Sequence, residues 1–268
     1  MEPAQSLIRR PPRSSLAGAV LILAAIGILT SNGPLPGTVA AWLPLPLAVL
    51  LILGHGTRQA QTVHVALFGL LYYAGSGLAG RWWPLPHVIT LASYGLLVRA
   101  LPWLRSSAGW FRRGRIGRRD IALIAGFSVA SAIALIIWRF TTRADLSQFR
   151  ALVPDAPLGA ILAGMVGVAL LNAALEETMW RGVIMHALSS ALPSRWAVWL
   201  VQAACFGIWH YRGFPSGWVG VGLATVFAAM MGVLRTSSRG MLAPFIAHAL
   251  ADLTIFAMVA HLALAGSP

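Results

Sequence analysis

Ionisable residues that could do chemistry lie inside apolar stretches of this 268-residue chain. The chain has only seven acidic residues, and three of them, Glu176, Glu177 and Asp252, lie in or at the end of runs that otherwise have the composition of membrane helices. A charged side chain at the centre of a bilayer costs about 2.5 kcal/mol or more on insertion scales, so such residues usually form buried pairs or have a function. These three acids are therefore the first candidates for a functional site.

The first group is Glu176-Glu177-x-x-x-Arg181, which follows the apolar run 159–174. On a helix Glu177 and Arg181 share a face and can pair, whereas Glu176 is rotated by about 100° and is left for another partner. A free carboxylate in a site that excludes water can act as a general base. A charge cluster at the membrane surface would explain the same residues equally well.

Two further groups carry histidine. His210 ends an apolar run in Phe206-x-x-x-His210, and a lone histidine there is more often a surface or capping residue than a ligand. His248 and Asp252 are four residues apart, so they align on one face of an otherwise apolar helix. Both could hydrogen-bond a substrate carbonyl, as an oxyanion site requires, although Asp252 donates only when it is protonated. The three groups converge only if these helix faces point into a bundle, which is where polar groups in membranes normally point.

The elements that must position these groups are membrane helices. Hydrophobic residues make up 58% of the chain and charged residues 10%, whereas soluble domains carry about 25% charge. The composition therefore predicts an all-α, polytopic transmembrane bundle with eight or nine membrane helices. Apolar runs bounded by Gly, Pro and Arg place them near 15–31, 38–54, 60–79, 86–102, 119–138, 157–177, 195–211, 217–234 and 241–264.

The arginines predict the topology. Six of them fall in the segment 105–119, which should be cytoplasmic by the positive-inside rule, and the basic N-terminus agrees if four spans intervene. The segment divides the chain into N-terminal helices of unknown role (1–104) and a membrane domain (120–268), although a long loop within one domain would fit as well. We expect Trp82, Trp83, Trp103 and Trp110 to be interfacial.

The basic balance itself, a net charge of +13, indicates contact with membrane lipids and not with nucleic acid, because the arginines lie mainly between apolar runs. The absence of lysine favours a bacterial source, and hence the inner membrane. The single cysteine, Cys205, allows no intrachain disulfide.

In their order within apolar helices, the motifs Glu176-Glu177-x-x-x-Arg181, Phe206-x-x-x-His210 and His248-x-x-x-Asp252 resemble those of the CPBP family of CaaX-processing and bacteriocin-protection intramembrane glutamic endopeptidases, also called ABI. The resemblance covers roughly 157–264. It implies that Glu176 activates water, His210 positions that water, and Glu177 and Arg181 form a supporting pair.

The resemblance also implies that His248 stabilises the oxyanion together with the residue four later, which is Asn in many members and Asp252 here. An ionised carboxylate would repel an oxyanion, so we expect either a protonated Asp252 or a role in orienting His248. No metal and no other cofactor is expected, because the family uses a glutamate-activated water and the chain has no H-E-x-x-H pair.

The sequence thus predicts an endopeptidase that cleaves a membrane-anchored protein or peptide. The alternative is a non-catalytic scaffold or a proton-coupled transporter whose buried acids relay protons. Trp180 and Trp209 should be packing or interfacial residues. His186 could line the site, but surface or packing roles are favoured for it and for the remaining histidines, His55, His64, His87 and His261.

Overall fold

The computed structural model describes residues 13–79, 84–142, 153 and 155–264. These residues form helices joined by turns and loops, with no strand among them, so the all-α prediction is confirmed for this part of the chain. Trp82 and Trp83 lie outside the described residues.

The N-terminal helices match the predicted ranges closely, with one short helix, α6, that the hydrophobic pattern does not indicate. They are α1 (Leu16–Thr30), α2 (Gly37–Ala40), α3 (Pro44–Gly56), α4 (Ala60–Ala79), α5 (Leu85–Ala100) and α6 (Pro102–Ser107).

The C-terminal helices begin with the second half of the arginine segment. They are α7 (Arg118–Thr142), α8 (Leu158–Glu177), a π-helical segment (Thr178–Ile184), α9 (Met185–Ala191), α10 (Arg195–Trp209), a 3-10 turn (His210–Arg212), α11 (Gly217–Ser237) and α12 (Leu242–Leu264).

Five helical stretches of the described residues are long and apolar enough to cross a membrane, so the predicted count of eight or nine is not confirmed. α4 has 20 residues but is not among the five, and its first turns carry the polar residues Gln61, Thr62 and His64. The five stretches are Gly37–Gly56, Arg118–Thr142, Leu158–Ala191, Gly217–Ser237 and Leu242–His261.

Contacts between helix termini define one end of the bundle. The backbone N–H of Ser14, before α1, donates to Ser190 O in α9, and Gln61 Nε2 at the start of α4 donates to Ser107 O in α6. His55, at the end of α3, lies 5.6 Å from Trp103 between ring centroids. The chain therefore begins α1 at this end, comes back to it at the end of α3, and comes back again at the end of α5. We call it the arginine end, because it contains residues 105–119.

The arginine segment is a loop only in part, because Arg105 lies in α6 and both Arg118 and Arg119 lie in α7. Residues 108–117, the basic loop, pair with the turn between α11 and α12: Met241 N donates to Arg112 O at 2.8 Å and Arg115 N donates to Ser238 O at 2.9 Å.

Trp110 of the basic loop is buried, with 3% of its surface exposed, so the prediction of an interfacial role for it is wrong. Its ring stacks with that of Tyr94, with centroids 6.3 Å apart. It also covers Gly182 of the π-helical segment, where an added Cβ would meet the Trp110 ring at 2.6 Å. The tryptophan therefore ties the basic loop to the bundle interior.

The main hydrophobic core joins both halves of the chain. Ile22, Leu29 and Phe68 from the N-terminal helices belong to the same buried cluster as Trp180 and Phe206. The N-terminal helices therefore support the segments that carry the predicted motifs. The division into an N-terminal and a C-terminal unit stays a prediction.

Candidate active site

The first motif lies where α8 changes from an α-helix to a π-helix. Glu177 is the last residue of α8, and Arg181 lies inside the π-helical segment, a form that occurs frequently at functional sites. Arg181 Nη1 lies 3.0 Å from Glu177 Oε1, and the two side chains are 0% and 2% exposed. The expected pairing is thus present, and its burial excludes a surface charge cluster for these two residues.

Glu177 also contacts the third motif. His248 Nδ1 donates to Glu177 Oε1 at 2.7 Å, so one carboxylate oxygen has both Arg181 and His248 as neighbours. Because the carboxylate accepts this bond, Nδ1 carries the proton, and only Nε2 of His248 is left to face the remaining site.

The Glu176 side chain points away from the Glu177–Arg181 pair and towards His210 and His248. Its Oε2 lies 3.6 Å from His210 Nε2 and 3.6 Å from His248 Nε2. These distances are too long for direct hydrogen bonds, and Oε2 has no hydrogen-bond partner among the described residues although it is buried. The two glutamates therefore face different surroundings, as their spacing predicts.

Phe206 positions the histidine of its motif in two ways. His210 Nδ1 donates to Phe206 O at 2.9 Å, and the two rings stack with centroids 4.2 Å apart. Arg181 Cζ lies 4.6 Å from the centroid of the same Phe206 ring, a cation–π geometry. Trp180 is fully buried and meets Phe206 edge-on, which confirms its predicted packing role.

Asp252 joins the cluster through an amide that the motif analysis does not include. Asn172 Nδ2 donates to Asp252 Oδ2 at 3.0 Å and to Glu176 Oε1 at 3.4 Å, while Asp252 Oδ1 lies 3.6 Å from His248 Nε2. The sequence does contain a signal for Asn172, because it is a lone amide in the apolar run before Glu176 and precedes it by four residues.

The sequence favours a surface or packing role for His87 of α5, but its side chain lies beside the site. Its Nε2 is 3.2 Å from Asn172 Oδ1 and its side chain is buried. Since Oδ1 is an acceptor, His87 donates, and this bond fixes which way the Asn172 amide faces. One N-terminal helix thus contributes to the cluster.

A cavity of about 750 Å³ opens beside these groups. Asn172, Glu176, His210, His248 and Asp252 line one part of it, and α7, α8, α11 and α12 supply mainly apolar walls. Representative wall residues are Ala134, Met165, Val168, Leu223, Phe227 and Phe256.

The other histidines lie apart from this cavity. His64 is buried, with Nδ1 2.7 Å from Tyr94 Oη and Nε2 2.9 Å from Ser107 Oγ. His186, a possible lining residue from its place in the sequence, is not among the residues that line the cavity. Within the described part of the chain, no three His, Cys, Asp or Glu side chains form a group suited to a metal ion. The metal-free, cofactor-free site stays a prediction.

A comparison with protein families gives a match in the C-terminal part of the chain. Residues 157–254 match the family model described as type II CAAX prenyl endopeptidase Rce1-like, a range that contains all three motifs and Asn172 but not His87. No curated protein and no solved structure matches the chain.

A CAAX endopeptidase family implies a peptidase in a membrane, with a membrane-associated protein as substrate. Together with the apolar helices, the match indicates an integral membrane protein. Over residues 157–254, this chain is therefore similar to the Rce1-like type II CAAX prenyl endopeptidase domain, which is consistent with the CPBP family that its motifs resemble.

Proposed function

We propose that the chain is an intramembrane endopeptidase of the glutamic type, in which Glu176 activates the water that hydrolyses a peptide bond. The observation that carries this proposal is the position of Glu176 Oε2, which is buried without a hydrogen-bond partner and lies 3.6 Å from Nε2 of two histidines. A separation just beyond hydrogen-bond length suits groups that share a water.

Protonation follows from the partners of each ring. His210 donates through Nδ1 to Phe206 O, so its Nε2 is an acceptor when the ring is neutral. One O–H of the water would then point to Glu176 Oε2 and the other to His210 Nε2, which leaves a lone pair of the water free to attack a carbonyl carbon. Glu176 takes the first proton as the O–C bond forms.

The oxyanion that forms needs a donor, and His248 Nε2 is the group in place. Because Nδ1 already donates to Glu177, Nε2 donates only in the doubly protonated ring, which is the form of His248 in this scheme. Asp252 would orient this ring, since its Oδ2 accepts from Asn172 and its Oδ1 faces His248 Nε2. When the C–N bond breaks, the proton held by Glu176 passes to the departing amine.

Glu177, Arg181 and Asn172 are positioning residues in this scheme. Glu177 holds His248 through Nδ1, and Arg181 balances the buried Glu177 charge. Asn172 holds Glu176 Oε1, so that Oε2 is the oxygen turned towards the histidines.

The apolar walls favour a substrate with an apolar anchor beside the scissile bond. Removal of a C-terminal sorting or anchor segment, or processing of peptide bacteriocins, fits such a site. We further propose a bacterial inner-membrane location with the N-terminus in the cytoplasm, because the arginine end gathers most of the basic residues.

The test is mass spectrometry of C-terminal peptides in the membrane proteome of cells with the wild-type chain or Glu176→Gln at equal expression. Glu176→Gln keeps the shape of the side chain but removes the base, so trimming of a defined set of termini should fall by about 10²- to 10⁴-fold. Asp155→Asn is the matched control, because it makes the same change at an exposed acid outside the site. If no terminus differs between wild type and Glu176→Gln while a cellular phenotype still depends on the chain, catalysis is the wrong function.

A further inference from the structure

A second, smaller cavity lies on the bundle surface at the arginine end. It has a volume of about 290 Å³ and is formed where α8 and the start of α12 meet the basic loop. Met241, Leu242 and Phe245 supply an apolar wall, and Phe111, Arg112 and Arg113 line it from the basic loop. We call it the loop groove.

The arginines of the loop groove are held by their backbone. Arg112 O accepts from Met241 N at 2.8 Å and Arg113 O accepts from Leu242 N at 3.2 Å. The next residue, Gly114, has a φ of +80° and lies so close to Gly240 that a Cβ on either glycine would overlap the other backbone. The two guanidinium groups are therefore attached to a fixed segment, and both side chains are exposed.

The charge around the loop groove is positive. Further exposed arginines lie at the same end of the bundle. At the opposite end, the described residues include Arg139 in the last turn of α7 and Arg212 in the 3-10 turn. The surrounding arginines are Arg105, Arg115, Arg118, Arg119 and Arg239.

Glu177 also lines the loop groove but does not reverse this charge. Its side chain is 2% exposed, and its Oε1 lies 3.0 Å from Arg181 and 2.7 Å from His248. The Glu177 carboxylate is thus balanced from inside the bundle, whereas the side chains of Arg112 and Arg113 are exposed.

We infer that the loop groove binds one anionic phospholipid. Arg112 and Arg113 bind the headgroup phosphate, and an acyl chain lies against Leu242 and Phe245. A guanidinium pair recognises phosphate through charge-assisted hydrogen bonds, and basic residues at the membrane surface attract anionic lipids. With a volume of about 290 Å³, the loop groove can hold part of one acyl chain beside the headgroup.

This inference goes beyond the proposed function and does not depend on it. The test is native mass spectrometry of the purified full chain, released from detergent after titration with phosphatidylglycerol or phosphatidylcholine of the same acyl chains. Wild type should retain one phosphatidylglycerol with an affinity about tenfold or more above that for phosphatidylcholine, because each arginine near an anionic headgroup contributes several-fold. The Arg112→Gln, Arg113→Gln double variant should lose this preference.

Two further variants separate a groove from a diffuse basic surface. Arg118→Gln, Arg119→Gln removes the same charge at the same end but outside the loop groove, and it should keep the preference. Phe245→Gln leaves all arginines and should weaken retention of phosphatidylglycerol. The inference is overturned if wild type does not distinguish the two lipids, if the control pair loses as much as Arg112 and Arg113, or if Phe245→Gln retains phosphatidylglycerol like wild type.

Discussion

At the scale of single residues, the unusual feature is an amide placed between two acids. Asn172 Nδ2 is within 3.0 Å of Asp252 Oδ2 and 3.4 Å of Glu176 Oε1, and His87 holds the other end of the amide. Two carboxylates that approach each other in a buried site repel, and a shared donor reduces that cost. Asn172 therefore explains how Asp252 can lie next to the proposed base.

Replacing Asn172 with Leu should lower kcat by about 10²-fold, because a displacement of a catalytic group by about 1 Å can have that effect. KM should change little, since Asn172 is assigned to hold Glu176 and Asp252 and not the substrate. His87→Gln, which can still donate to Asn172, should keep more activity than His87→Phe. Steady-state kinetics measure kcat and KM on a peptide that contains the cleavage site of a substrate.

Asn32→Leu is the control for that series, because it makes the same change at an amide whose Oδ1 accepts from Tyr73, outside the site. Equal losses of kcat in Asn32→Leu and Asn172→Leu would mean that Asn172 acts only through stability. A rise in KM without a loss of kcat would instead place Asn172 in substrate binding.

At the scale of helices, close approach of α10 and α11 sets the position of His210. Gly207 lies one turn before His210, and an added Cβ would meet Val221 O at 2.6 Å and overlap Thr225 Oγ1. Only glycine allows this approach, so the glycine inside Phe206-x-x-x-His210 has a packing reason of its own.

Gly207→Ala should destabilise the chain by about 1–3 kcal/mol, the usual range for overpacking, and should also reduce activity because His210 moves with the end of α10. Gly222→Ala on α11 is the control, because an added Cβ there meets nothing within 4 Å. Thermal unfolding in detergent compares the two variants. A Gly207→Ala protein as stable and active as Gly222→Ala would show that the two helices separate easily.

The π-helical segment gives a second prediction at this scale. Arg181 is fully buried beside Glu177, so Arg181→Met should destabilise the chain by about 3–5 kcal/mol by leaving the acid's charge uncompensated. Glu177→Gln combined with Arg181→Met removes both charges and should be less destabilising than Arg181→Met alone. Exposed Arg212→Met, the control, should stay within about 0.5 kcal/mol of wild type.

Free energies of unfolding in mixed micelles decide this comparison. The comparison also needs Glu177→Gln alone. If the losses of stability in Glu177→Gln and Arg181→Met simply add in the double variant, the two residues are not coupled, and the ion pair does not stabilise the segment.

Most helices could be predicted from the sequence, because apolar runs bounded by Gly, Pro and Arg indicate them. The number of membrane spans could not, because several of these runs form helices too short to cross a bilayer. Pairing at i,i+4 likewise indicated Glu177 with Arg181. The π-helical segment and the 3-10 turn at His210 have no periodic signal, and α6 is too short to have one. The position of His87 depends on which helices pack together, which spacing along the chain does not determine.

At the scale of the whole molecule, the two ends of the bundle differ in their number of arginines. The arginine end contains the start of α1, the basic loop, the start of α10 and the turn after α11. Arg139, in the last turn of α7, and Arg212, whose Nη2 donates to Pro34 O, lie towards the other end. The positive-inside rule therefore predicts a cytoplasmic arginine end, although the fold alone would allow either orientation.

Cysteine labelling tests this orientation, since Cys205 is the single cysteine of the chain and Cys205→Ser gives a background without thiols. In that background Arg115→Cys places an exposed thiol at the arginine end, and Asp155→Cys places one before α8 at the opposite end. A membrane-impermeant maleimide should label Asp155→Cys in intact spheroplasts and Arg115→Cys only after permeabilisation, with at least a tenfold difference in each case. The reverse pattern would place the N-terminus and the loop groove outside the cytoplasm. The anionic lipid would then have to come from the outer leaflet. A substrate anchored in the cytoplasmic leaflet would approach the cavity from the N-terminal end of α8, at Leu158.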